Sequence, residues 1–127
     1  MTIATVLMVD DDPHIRRIGE LCLKAVGKWR VVLSASGAAA VDAAAAEQPD
    51  VILLDVMMPG LDGPMTLEAL RARPETAAIP VIFMTANVQD HEVERYLRLG
   101  ALGVISKPFD PMKLAGEIRR LTVGGTS

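Results

Sequence analysis

Short apolar runs alternate with longer amphipathic segments five times along this chain of 127 residues. The runs at 6–9 and 51–54 lack the polar alternation of a strand with one wet face, which is typical of strands covered on both faces. Parallel strands joined by helices take right-handed crossovers, so helices come to cover both sides of an open sheet. The pattern therefore predicts an α/β protein with one doubly wound (βα)₅ domain.

Apolar runs, helix-capping residues and glycines predict where the strands and helices begin and end. The predicted strands lie at 6–9, 30–33, 51–54, 80–84 and 102–105. Asp12 and Ser36 are predicted helix N-caps, and Gly27 and Gly100 are predicted to end the first and fourth helices. We expect the fourth helix to start at Asn87 and the fifth at 110–111. The predicted domain covers residues 1–122, and residues 123–127 read as a flexible tail or the stub of a linker.

Bulk properties exclude some classes of protein. The net charge is −3 and the pI about 5.3, which argues against a nucleic-acid-binding surface. No apolar run approaches the ~18 residues that a membrane span needs. The first residues lack the basic flank of a signal peptide, and the single Cys22 fits a buried position in a reducing compartment. We therefore expect a cytoplasmic protein.

Polar residues follow four of the five predicted strands, at the edge where doubly wound folds bind ligands. They are Asp10, Asp11, Asp55, Thr85 and Lys107. Three carboxylates at one edge repel each other unless a cation lies among them, and an all-oxygen set favours Mg²⁺. Taken singly, Thr85 could be a capping hydroxyl, Lys107 a solvated charge and Asp12 only a helix cap. Their shared edge predicts a site for a divalent ion together with an oxyanion.

Four motifs in order resemble the receiver domain of two-component response regulators, in particular the chemotaxis regulators. They are VDDDP at 9–13, LDVMMPGLDG at 54–63, MTA at 84–86 and KPF at 107–109. The resemblance extends from about residue 6 to residue 121. It implies a five-stranded parallel sheet in the order 2-1-3-4-5 with helices on both faces.

The resemblance also implies roles for individual residues. Asp55 would accept the phosphoryl group, with Thr85 and Lys107 contacting its oxygens. Mg²⁺ would be bound by Asp11 directly, by Asp10 mostly through water, by Asp55 and by the backbone carbonyl of Met57. The peptide bond between Lys107 and Pro108 is expected to be cis.

The implied function is that of a phosphoacceptor switch. A sensor histidine kinase or phosphotransfer protein would donate the phosphoryl group to Asp55. The response would change the face built from the fourth helix, fifth strand and fifth helix, including Thr85, Val104 and Lys107. This face would act on a downstream output protein or a covalently linked output domain. The only enzymatic activity expected is Mg²⁺-dependent self-phosphorylation with slow autodephosphorylation.

Three positions depart from the usual receiver pattern or tune it. Val104 stands where many receivers carry Tyr or Phe, so we expect the usual coupling of ring and hydroxyl to be missing and the conformational response to be smaller. Met57 and Asn87 stand at positions that often tune phosphate lifetime. Because Met57 cannot orient an attacking water molecule, we expect a long-lived acyl phosphate.

Three other functions remain as alternatives. A hydrolase of the haloacid dehalogenase type needs an acidic residue two positions after its nucleophile, where this chain has Met57. A nucleotide- or flavin-binding module needs a Gly-rich turn after the first strand, where this chain has three aspartates. A purely structural receiver would not need the complete acidic set.

Overall fold

The computed structural model describes residues 2–124, which form five strands alternating with five helices. The strands are β1 Thr5–Val9, β2 Arg30–Ser34, β3 Val51–Asp55, β4 Val81–Thr85 and β5 Gly103–Ser106. The helices are α1 Pro13–Ala25, α2 Gly37–Glu47, α3 Gly63–Ala72, α4 Asp90–Arg98 and α5 Leu114–Gly124. All strand pairs are parallel in the order β2-β1-β3-β4-β5, which confirms the predicted fold. Within residues 2–124, no helix has both the length and the apolar character to cross a membrane.

Two apolar cores lie on opposite faces of the sheet. Successive residues of a strand point to opposite faces, so Leu54 and Phe83 pack with α2, α3 and α4, while Leu53 and Met84 pack with α1 and α5. Strands β3 and β4 are buried along their whole length, as their continuous apolar sequences predict. The strands' carboxyl ends are therefore held rigidly at one edge of the domain.

The predicted helix caps are observed. Asp12 accepts a hydrogen bond from the backbone N–H of His14 at the start of α1, and Ser36 accepts one from Ala39 at the start of α2. Gly100 follows α4 with φ of 109°, a left-handed conformation that glycine adopts without steric cost.

Helix α1 ends at Ala25 with Val26 as its C-cap, so Gly27 directly follows the end of the helix, as predicted. The left-handed residue of this turn is Lys28, with φ of 63°. Gly27 is needed for close packing instead, since a Cβ there would lie 2.6 Å from the carbonyl oxygen of Leu23 and 2.8 Å from the Trp29 ring. Its lack of a side chain, and not its backbone freedom, is what the fold uses.

The starts of the last two helices differ from the prediction. Helix α4 begins at Asp90 and not at Asn87, whose Oδ1 accepts the backbone N–H of Gln89 at 3.3 Å. Helix α5 begins at Leu114 and not at 110–111, because Asp110 caps a separate turn by accepting the N–H of Met112 at 2.9 Å. Both acceptors serve turns that precede the helices.

The predicted tail falls mainly beyond the described structure. Helix α5 runs to Gly124, two residues past the predicted domain boundary at 122. Residues 125–127 lie outside the described residues.

Candidate functional site

Three carboxylates meet at the carboxyl edge of the sheet. Asp10 follows β1, Asp55 ends β3, and these strands are paired neighbours in the sheet. One carboxylate oxygen from each of Asp10, Asp11 and Asp55 lies within 4.8 Å of the others. Asp10 is fully buried and Asp55 is 3% exposed, whereas Asp11 faces solvent. The structure thus brings together the acids that the sequence singles out, two of them shielded from water.

Lys107 supplies the opposing charge. It follows β5, and its backbone N–H donates to the Thr85 carbonyl at 2.9 Å, which continues the pairing of β4 and β5. Its Nζ lies 2.9 Å from Asp10 Oδ2 and 3.4 Å from Asp55 Oδ1. The next peptide bond, between Lys107 and Pro108, is cis as expected. One ammonium group therefore bridges the two buried carboxylates.

At this edge of the sheet, the negative charges of the carboxylates outnumber the positive charge of Lys107. Burial raises the pKa of Asp55, the charge of Asp10 raises it further, and Lys107 opposes both only in part. Burial lowers the pKa of Lys107, but the hydrogen bond to Asp10 and the charges of both acids outweigh it, so the pKa is raised overall. Lys107 stays protonated while the acid pair keeps unneutralised charge. Further positive charge would stabilise the site.

Thr85 and Met57 complete the surroundings of Asp55. Thr85, at the end of β4, is 3% exposed and its Oγ1 accepts the backbone N–H of Asn87 at 3.0 Å. Met57 donates its backbone N–H to Asp55 Oδ1 at 3.4 Å, while its side chain is 76% exposed. The resulting cleft has a volume of about 290 Å³. The hydroxyl, the ammonium group and the acids all line this one cleft.

The donor set fits a hard divalent cation. All side-chain donors in the cluster are carboxylate oxygens, the chemistry that Mg²⁺ prefers. Asp10 already accepts from Lys107 with Oδ2 and from the Asp12 N–H with Oδ1 at 2.9 Å, so it is less free than the exposed Asp11 to coordinate directly. The role of Asp11 as the direct ligand of the two stays a prediction.

Such a site on a doubly wound sheet of this strand order defines a class of signalling domain. The family model of the response regulator receiver domain matches residues 6–119, and the chain belongs to this family. Members of the family are phosphorylated on aspartate in two-component signalling.

Individual relatives give the same assignment. The chain is 40% identical over 116 residues to a protein described as the probable transcriptional regulator ycf27 of Cyanophora paradoxa, covering 91% of this chain and 47% of the relative. It is 38% identical to the response regulator PleD of Caulobacter vibrioides over 119 residues, covering 94% of this chain and 26% of that one. The chemotaxis response regulator CheY4 of Vibrio cholerae superposes with a TM-score of 0.86 at 31% identity, covering 94% of this chain and 99% of that one. The chain thus spans about half the length, or less, of the curated relatives but nearly all of the solved structure.

Tyr96 lies near the site, although the sequence pattern indicated only a helical position for it. It is the one buried residue of α4, and its ring packs against Phe83 at the sheet. Val104 lies in register with Phe83 and packs, partly buried, against the same apolar cluster. The signal that could have revealed Tyr96 is its position as the single aromatic residue in a mostly charged helix.

Proposed function

We propose that this chain is a phosphorylation-driven switch in which Asp55 accepts the phosphoryl group. The observation that carries this proposal is the pair of buried carboxylates, Asp10 and Asp55, bridged by Lys107 at 2.9 and 3.4 Å. Burying two like charges is unfavourable for folding, so a site that does so is expected to serve a ligand. Family membership supports an aspartate as the acceptor.

Mg²⁺ would be held by Asp10, Asp11, Asp55 and the backbone carbonyl of Met57, a set whose carboxylates lie within reach of one ion. When bound, the ion supplies positive charge beside the phosphoryl oxygens. Asp11 is exposed and open to the solvent side of the cleft, whereas Asp10 is held in place by Lys107 and by the Asp12 N–H. The acids thus combine one adaptable ligand with one fixed ligand.

The transfer itself requires positioning and charge more than covalent chemistry from the protein. A carboxylate oxygen of Asp55 forms a bond to phosphorus, while the bond from phosphorus to the donor nitrogen breaks and the electron pair leaves with that nitrogen. Lys107, already 3.4 Å from Asp55, neutralises charge on one phosphoryl oxygen. Thr85 donates its hydroxyl hydrogen to another, and the buried end of β4 fixes its position.

The nitrogen donor would be a phosphohistidine of a sensor histidine kinase or phosphotransfer protein in the cytoplasm. The output would pass through the face built from α4, β5 and α5, since Thr85 and Lys107 flank the ends of β4 and β5 there. The recipient is a separate output protein or a linked output domain. The curated relatives, about twice as long as the match or longer, support a linked output domain, whereas the CheY4 structure, 99% of which is covered, supports a separate output protein. Slow autodephosphorylation would reset the switch.

The test is incorporation of phosphate from a small phosphodonor such as phosphoramidate in the presence of Mg²⁺. Intact mass spectrometry should show the addition of one phosphoryl group to the wild-type chain and none to Asp55→Asn. Asp42→Asn, a substitution at an exposed carboxylate on α2, is the matched control and should be labelled like the wild type. Continuous release of phosphate at many turnovers would support a hydrolase instead, and absence of labelling would support a purely structural domain.

A further inference from the structure

Tyr96, a residue of helix α4, packs against the sheet. The ring lies 5.1 Å from that of Phe83, centroid to centroid, with an edge-on interplanar angle of 65°. Its hydroxyl donates to Glu92 Oε2 at 3.1 Å, one turn earlier in α4, and the Arg95 guanidinium lies 5.6 Å from the ring centroid. Tyr96 is 3% exposed and is the only tyrosine in the chain. No other residue of α4 is buried, so this side chain is the main anchor of the helix.

The anchor lies beside Thr85. Phe83 and Thr85 are two positions apart in β4, so their side chains point to the same face of the sheet. A ring that packs edge-on against Phe83 therefore lies on the same face of β4 as the Thr85 side chain. Burial raises the pKa of the Tyr96 phenol and Glu92 raises it further, while the Arg95 charge and the Thr85 side chain oppose this only in part.

The residue at 104 leaves room for this arrangement. Val104 is the register partner of Phe83, so its side chain projects on the same face, one strand away. It packs against the cluster that contains both Phe83 and Tyr96. A short aliphatic side chain at 104 lets the ring from α4 fill the space near the end of β4.

We propose that Tyr96 is the positioning residue that couples Thr85 to helix α4. This inference rests on the proposed function and names how the phosphorylated site acts on the helix. The Thr85 hydroxyl has one hydrogen to donate, and its oxygen already accepts the Asn87 N–H. When that hydrogen turns to a phosphoryl oxygen on Asp55, the Thr85 side chain reorients on the face of β4 against which the Tyr96 ring packs. The Tyr96 hydroxyl, its bond to Glu92 and the first turns of α4 then readjust together.

The single tyrosine makes a direct test possible. In protein labelled with 3-fluorotyrosine, one ¹⁹F resonance reports on Tyr96. We expect this resonance to shift when Mg²⁺ and beryllofluoride or phosphoramidate are added, and the shift to be lost in Thr85→Ala. An unmoved resonance in a sample that mass spectrometry shows to be phosphorylated would overturn the inference while leaving the proposed function intact.

Two variants separate coupling from simple packing. Tyr96→Phe keeps the ring and removes the hydroxyl, so we expect a stable protein whose amide shift changes across α4 on phosphorylation fall by at least about half. His91→Gln, at an exposed position of the same helix, is the matched control and should respond like the wild type. A urea unfolding curve identifies any loss that comes from misfolding, and the amide response is normalised to the phosphorylated fraction. A full α4 response in Tyr96→Phe would refute the coupling role, whereas failure of Asp55 to take any phosphate would refute the proposed function and this inference with it.

Discussion

Replacing Asp55 by asparagine should make the metal-free protein more stable. Asp55 is 3% exposed, and one of its oxygens lies no more than 4.8 Å from an oxygen of Asp10. The pKa of Asp55 is raised because burial and Asp10 together outweigh Lys107. The ionised carboxylate is therefore less favourable in the folded chain than in water. Asparagine keeps the size of the side chain and removes this charge.

The magnitude follows from three opposing contributions. At an effective dielectric constant of about 20, the repulsion between Asp10 and Asp55, whose oxygens lie no more than 4.8 Å apart, is at least about 3–4 kcal/mol. The attraction of Lys107 for Asp55 across 3.4 Å is about 5 kcal/mol on the same basis. Removing the carboxylate from water costs several kcal/mol, discounted here because the cleft is open to solvent on one side. Together, these contributions should raise the free energy of unfolding of Asp55→Asn above that of the wild type by about 1–2 kcal/mol.

The assay is urea unfolding in a chelator, followed by the fluorescence of the only tryptophan. Trp29 is 7% exposed and precedes β2, at the opposite edge of the sheet from the acids, so its signal reports global unfolding. Mg²⁺ at about 100 times its dissociation constant should stabilise the wild type by about 2.7 kcal/mol. Because Asp55→Asn lacks one of the proposed ligands, Mg²⁺ should remove or reverse the difference. Asp42→Asn, whose carboxylate forms only a surface ion pair with Arg73, should change the unfolding free energy by about 0.5 kcal/mol or less. An Asp55→Asn protein that is less stable than the wild type in chelator, or a difference that Mg²⁺ leaves unchanged, would contradict this prediction.

Three further outcomes are expected. In Gly63→Ala the new Cβ would lie 2.7 Å from the Val56 Cα, so the unfolding free energy should fall by about 1–3 kcal/mol, whereas Gly116→Ala, with nothing within 4 Å, should gain about 0.5–1 kcal/mol in the same urea assay. Burial raises the pKa of the Cys22 thiol, so a disulfide reagent at pH 8 should react at least about tenfold more slowly with native than with unfolded protein. Since the folded pKa lies above the unfolded value of about 8.5, the stability provided by this neutral thiol is fully present below that pH and declines as pH rises, and Cys22→Ala should not show this decline. Met57→Asn should shorten the lifetime of the acyl phosphate by at least about tenfold, because an amide can orient the attacking water, and mass spectrometry of the decaying phosphoprotein measures this directly; a decay of the wild type within seconds would contradict the reasoning.

Most of the fold could be predicted because its signals are local. The caps at Asp12 and Ser36 each act on a residue two or three positions away, and the alternation of apolar runs fixes the sheet. The start of α4 could not be read this way. Thr85 accepts the N–H of Asn87 and so holds Asn87 in the loop, which leaves its side chain to cap a turn and not the helix. That contact depends on the tertiary position of β4.

The site was predictable for a different reason. Once the strands are parallel, the residues that follow them share one edge, and the strand order implied by the family resemblance places β1 beside β3, so Asp10 and Asp55 become neighbours whatever their separation in sequence. Tyr96 could not be found by this argument, because its contact with Phe83 depends on how α4 packs across the sheet. Its i,i+4 spacing to Glu92 is visible in the sequence, but such pairs are common on solvated helices and carry little information alone.

The ion pair between Lys107 and Asp10 joins residues 97 positions apart in the chain. Strand β5, which precedes Lys107, lies at the sheet margin, with β4 and β3 between it and β1. A chain that has folded only as far as β4 would hold its two shielded acids without their counter-cation. The charge balance of the site is therefore complete only when the fifth strand has paired with β4, which makes the marginal strand β5 a requirement for a site centred on β1 and β3.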